Sequence, residues 1–111
     1  MTVIDIPEHK KLLVLFRMEP GSLGPEGKNY IQEFCEFAQI QLQASAKPYI
    51  TWSIIPRFDK SLAEMEFQIA GKKMPESKVK QYLGLFDENL SDFEDELDNN
   101  LEAIVNQFFG R

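Results

Sequence analysis

MPESKVKQYLGLFDENLSDFEDELDNNLEAIVNQFF, residues 74–109, carries an apolar side chain at Val79, Leu83, Phe86, Leu90, Phe93, Leu97, Leu101, Ile104 and Phe108. The steps are all three or four, so on a wheel of ~100° per residue these positions stay within an arc of about 80°. The carboxylates Asp87, Glu88, Asp92, Glu94, Asp95, Glu96, Asp98 and Glu102 fall outside that arc. Pro75 and Glu76 suit a first helical turn. The phase survives Gly84, which favours one long helix from Glu76 to about Phe109. Ser91 followed by Glu94 also fits a capping box, which would restart a second helix there.

A helix of that length spans about 50 Å at 1.5 Å per residue. The strands upstream, seven residues at ~3.3 Å each, span roughly 23 Å. The expected overhang carries Phe93, Leu97, Leu101, Ile104 and Phe108, and each large apolar side chain left in water forgoes roughly 1.5–3 kcal/mol. The same stripe from a second copy is the expected cover, because twofold dimers are the commonest soluble oligomers. These five residues are therefore the expected dimer interface.

Upstream, Lys11–Met18 holds LLVLFRM, too short for a stable helix and rich in strand formers. Leu12, Val14, Phe16 and Met18 share one face, Leu13, Leu15 and Arg17 the other, and an apolar middle on both faces marks a central or partner-covered strand. Glycines and prolines in EPGSLGPEGK end that strand and place a helix start near Pro25. Ile31, Phe34, Cys35, Ala38 and Leu42 then form a helical stripe, with Ile40 opposite it. Tyr49–Ile55 alternates with Ile50, Trp52 and Ile54 on one face. Ala63, Met65, Phe67 and Ile69 alternate with acidic and amide residues after the PRFDKS turn, so these two strands are expected to form a hairpin.

The predicted architecture is α+β, in the order β-α-β-β-α: a three-stranded sheet with helices on one face and a long C-terminal helix. That is a ferredoxin-like order lacking the fourth strand, and an analogy of order carries little function. At 111 residues the chain suits one domain over 1–111.

Composition bounds the function classes. Residues 1–80 carry eleven Lys and Arg against ten Asp and Glu, whereas residues 81–111 carry one Arg against eight acids. Nucleic-acid binders need a basic footprint, and neither part supplies one. No apolar run reaches the roughly 18 residues that span a bilayer. The start, MTVIDIPEHKK, lacks the order of a secretory signal, so a cytoplasmic setting is expected.

Residue by residue, candidate chemistry is sparse. Gly21, Gly24, Gly27 and Lys28 invite a phosphate reading, but Pro20 and Pro25 remove N–H donors, and a structural turn fits better. The lone His9 lies in a charged flank, and Cys35 lies inside an apolar stripe beside Glu33 and Glu36, a setting for packing rather than reactivity. No catalytic, cofactor or metal residue is assigned. The acidic helix reads as a solvated face or as a surface for a basic protein, with Asp92, Asp95 and Glu102 as its representatives.

The functional expectation is a non-enzymatic, homodimeric, cytoplasmic interaction or adaptor protein with an acidic C-terminal helix. The alternative is a small-molecule-binding protein or cofactor-independent enzyme using an apolar pocket between sheet and helices, near Trp52, Phe16, Phe67 and Met65. An acidic decoy for a basic nucleic-acid-binding site is a third reading, which requires carboxylates along one exposed ridge.

Overall fold

Strand β1, Leu12–Met18, has neighbours on both sides. It pairs in parallel with β2, Ile50–Pro56, from Leu12 opposite Ile50 to Met18 opposite Pro56, through the crossover helix α1, Gly27–Ala44. On its other side it pairs antiparallel with β3, Met65–Ile69, Val14 facing Phe67. A two-residue turn at Ala70 and Gly71, both with positive φ (53° and 78°), folds the chain back into β4, Lys72–Lys73. The computed structural model describes residues 6–111. The reading of the chain start as free of a secretory signal rests partly on residues 1–5, outside that range.

The sheet is therefore mixed and four-stranded, in the order β2-β1-β3-β4, and the three-stranded ferredoxin-like expectation is overturned. Two physical reasons account for the difference. The β4 strand consists of two lysines, so it leaves no hydrophobic alternation in the sequence. The β2 and β3 strands do not form a hairpin, because the connection over 57–64 is longer than a tight turn and carries the chain past β1 to its far edge. That connection folds against Arg17, whose backbone N–H donates to Glu64 O at 2.7 Å and whose Nη1 donates to Ala63 O at 2.7 Å.

The alternation expected for β1 and β2 holds. Leu12, Val14, Phe16, Met18, Ile50, Trp52 and Ile54 are buried together with Ile31, Phe34, Cys35, Ala38 and Leu42 of α1, and Ile40 is 66% exposed. Ahead of α1 the chain forms a 3-10 turn, Pro20–Leu23, and Gly24 turns with a φ of 101°. The α1 helix begins at Gly27, against the carbonyl of Pro20.

The chain does end in a long helix, but the continuous run expected from Glu76 to Phe109 is corrected: it divides into α2, Glu76–Gly84, and the long α3, Leu90–Phe108. The α2 helix closes on itself through Asp87 N–H to Gly84 O (3.1 Å) and Glu88 N–H to Leu83 O (3.0 Å), with Asp87 at a φ of 60°. This is the six-to-one and five-to-two bonding of a Schellman stop, with Asp87 where glycine is usual. Restart comes at Asn89, whose Oδ1 accepts from Ser91 N–H (2.8 Å) and Asp92 N–H (3.3 Å). The N-cap is thus Asn89 and not Ser91.

Candidate functional site

The break at Leu85–Asn89 returns α3 to the chain's own core. Phe93 stacks on Trp52, with centroids 5.7 Å apart and planes 5° apart, and tilts against Phe67. Leu97, Leu101 and Ile104 are buried, and Phe108 is half-buried, edge-on to Phe34 at 5.4 Å and tilted on Phe37 at 5.6 Å. All five residues expected at a dimer interface are thus covered by α1 and the sheet of the same chain. The overhang that motivated the interface does not exist here, because the hinge shortens the helix that was to project.

The opposite side of α3 is acidic. Asp92, Asp95 and Glu102 are exposed, as are Glu94 and Asp98. Asp92, Asp95, Asp98 and Glu102 follow one another at three- and four-residue steps, so they line one ridge about 15 Å long. Among the described residues none of these five carboxylates forms an ion pair. Asp92 lies in the first turn, where a negative charge is favourable to the helix dipole.

Of the acids off this ridge, Glu88 is the one drawn into the fold. Glu88, in the hinge, has a side chain 10% exposed; it forms a short ion pair with Lys47 Nζ, and its Oε2 accepts from Tyr49 OH at 2.8 Å. Lys47 also reaches Glu96 at 3.7 Å. Burial pushes the Glu88 carboxyl up, but the bonds from Lys47 and Tyr49 outweigh it and leave the group below its ordinary value. Tyr49 is pushed up to about 12 by burial and by the Glu88 carboxylate, and Lys47 is raised by its bond to Glu88. The three groups latch the hinge onto the segment between α1 and β2. Phe86 of the hinge stacks on the same Tyr49 ring at 4.0 Å.

This latch was not visible in the sequence, since Lys47, Tyr49 and Glu88 are separated by up to 41 residues. A second unforeseen feature lies on the outer edge of β2. Gln39 Nε2 donates to Trp52 O at 2.7 Å, Gln39 Oε1 accepts from Ile54 N–H at 2.8 Å, and Gln43 Oε1 accepts from Trp52 N–H at 2.9 Å. Two glutamines of α1 thereby occupy the hydrogen bonds that a further strand would use.

Space for a ligand is limited where the aromatic residues meet. The cleft between α1, β2 and α3, lined by Leu42, Lys47, Trp52, Phe93, Glu96 and Asn100, has a void of about 40 Å³. That is room for a few waters, against the roughly 300 Å³ at which small-molecule sites begin. The hollow beside Met65, Phe67, Met74 and Leu90 is larger, about 440 Å³, but it lies open to solvent rather than enclosed. Cys35 is buried, and burial lifts its thiol to about 11, far from a nucleophile's range. His9 lies in an exposed 3-10 turn, Glu8–Lys10. Among the described residues no group of three or more His, Cys, Asp or Glu could hold a metal ion, and no helix is long and apolar enough to cross a membrane.

Comparison of the chain with family models, with curated proteins and with solved structures finds no match. A functional reading therefore rests on the residues and their geometry.

Proposed function

We propose that this protein is a non-enzymatic interaction module that meets a basic protein partner along the outer ridge of α3. The observation that carries this reading is the unpaired ridge itself: Asp92, Asp95, Asp98 and Glu102 are all exposed, and none is neutralised by a neighbouring cation among the described residues. A ridge of one sign on a rigid helix sets up a directional field that steers an oppositely charged surface into register. The 40 Å³ cleft beside Trp52 and the solvent-open shape of the larger hollow beside Met65 and Phe67 support a role by contact rather than by substrate enclosure. A cytoplasmic setting and a homodimeric state belong to the same reading. One class of partner with the required chemistry is the basic groove of a nucleic-acid-binding protein, in which the carboxylates take the place of phosphates.

The test compares the wild type with the triple reversal Asp92→Lys, Asp95→Lys and Glu102→Lys in parallel capture from one cell extract. Association with the recovered partners is then followed at two salt concentrations. The reading expects basic proteins retained by the wild type alone, with association slowed by salt and by the reversal, while fold stability changes by under about 1 kcal/mol. The same set of proteins bound by both chains, or association indifferent to salt, would reduce the ridge to a solubility feature.

A further inference from the structure

The apolar pattern of the last third of the chain suits two backbones. The stripe from Val79 to Phe108 keeps one phase across the hinge, which fits an unbroken helix as well as the observed stop at Gly84 and restart at Leu90. Within the hinge between them, some residues sit uneasily in the bent form. Asp87 adopts a φ of 60°, which L side chains rarely take outside turns. Leu85 is 79% exposed, and Gly84 has open space where a Cβ would lie, so no contact there demands glycine. Against straightening stand the two bonds of the helix stop, the Asn89 cap, the Glu88 bonds to Lys47 and Tyr49, and the stack of Phe86 on Tyr49.

We propose that α3 exchanges between two copies of this chain. In the exchanged form the hinge becomes helical, α2 and α3 merge, and each α3 docks on α1 and the sheet of the other copy. The contacts are those already seen: Phe93 on Trp52, and Phe108 on Phe34. Because closed and exchanged forms share these contacts, the equilibrium between them is set by the hinge and by protein concentration. The merged helix, Glu76 to Phe109, is about 50 Å long, which exceeds the largest extent of the closed molecule, 44 Å, and so reaches a second copy. This inference rests on the homodimeric part of the proposed function and names its interface. It does not depend on a basic partner.

The experiment places spin labels at Lys80 and Asp98 in a Cys35→Ala background, using Lys80→Cys and Asp98→Cys. The labelled chain is diluted tenfold with unlabelled wild type and held at high micromolar concentration in mild denaturant before return to buffer. In the closed form the two positions line one crevice with Glu94 and Asp95, so the labels sit close. In a merged helix they stand about 27 Å apart along the axis. The expected result is a dimer by sedimentation whose intrachain distance has lengthened accordingly. Asp87→Gly, which relieves the hinge twice per dimer, should lower the dimerisation constant by roughly ten- to thirty-fold. Asn89→Ala, which removes the α3 cap from the closed form twice per dimer, should raise it by a similar factor. A dimer that keeps the short intrachain distance overturns the proposal, as does a monomer at every concentration in both the wild type and the Asn89→Ala chain. A failed search for basic partners leaves the distance measurement unaffected, so the two readings fail separately.

Discussion

The side-chain amide of Gln39 donates to the carbonyl of Trp52 at 2.7 Å, on the outer edge of β2. With its Oε1 on Ile54 N–H, the glutamine occupies two groups that would otherwise be free to recruit another strand. Gln39→Ala should destabilise the fold by about 1–2 kcal/mol, read by denaturant titration. It should also increase light scattering on prolonged incubation. Equal stability and equal scattering in the variant would mean that water satisfies this edge without help.

The Glu88 latch predicts a pH dependence with a definite sign. The folded carboxyl titrates below its ordinary value of 4.5, so its contribution is present above that value and is lost as pH falls through the folded one. Glu88→Gln should cost about 1–3 kcal/mol near neutrality, and the gap from wild type should close in acid.

Tyr49 gives a second readout of the same contact. Its phenol is pushed up to about 12 by burial and by Glu88, so its contribution is intact below the unfolded value near 10 and disappears as pH rises through 12. Removing the Glu88 charge should lower the Tyr49 titration measured by tyrosinate absorbance. An unmoved titration in Glu88→Gln would show that burial alone holds the proton.

Phe93 and Phe67 separate a covered α3 from an open one. Phe93 is 5% exposed against Trp52, whereas Phe67 is only partly buried. In low-micromolar denaturant titrations Phe93→Ala should cost about 3–5 kcal/mol and Phe67→Ala less than about 2 kcal/mol. A reversed order would place α3 away from the sheet.

Gly27 tests the loop before α1. A Cβ there would lie 1.8 Å from the Pro20 carbonyl oxygen, whereas at Gly21 it would meet only Glu19 Cγ at 4.0 Å. Gly27→Ala should lose about 2 kcal/mol or more, because backbone must shift, and Gly21→Ala should stay within about 0.5 kcal/mol of wild type. A tolerant Gly27 would reopen the question of why this loop carries so many glycines.

Periodicity made the core legible wherever burial is one-sided. Val14, Trp52, Phe34 and Leu97 are all buried as their spacing required, because a side chain's face follows from the local geometry of strand or helix. The hinge was harder to read, since an unbroken phase is compatible with a straight helix and with two helices lying on one core. The local signal that settles it is Asn89 followed by Asp92, an N-cap three residues ahead of an acid. The two apolar faces of β1 pointed to a central strand, which it is, but the identity of its neighbours was not legible, because alternation assigns faces and says nothing of partners. Glu88, Tyr49 and Gln39 escaped for a related reason: each works through a partner distant in sequence, and single-chain spacing carries no trace of it.

Trp52 is the chain's one tryptophan, and its indole lies face to face with a ring in the second turn of α3. Its emission and its near-ultraviolet dichroism therefore report on the seating of that helix rather than on folding at large. A stopped-flow trace at this single chromophore resolves departure and return of α3 from collapse of the sheet, without any added dye. In mixtures, energy transfer from the indole to an acceptor confined to unlabelled-tryptophan chains would then time how fast one molecule's helix finds another's sheet.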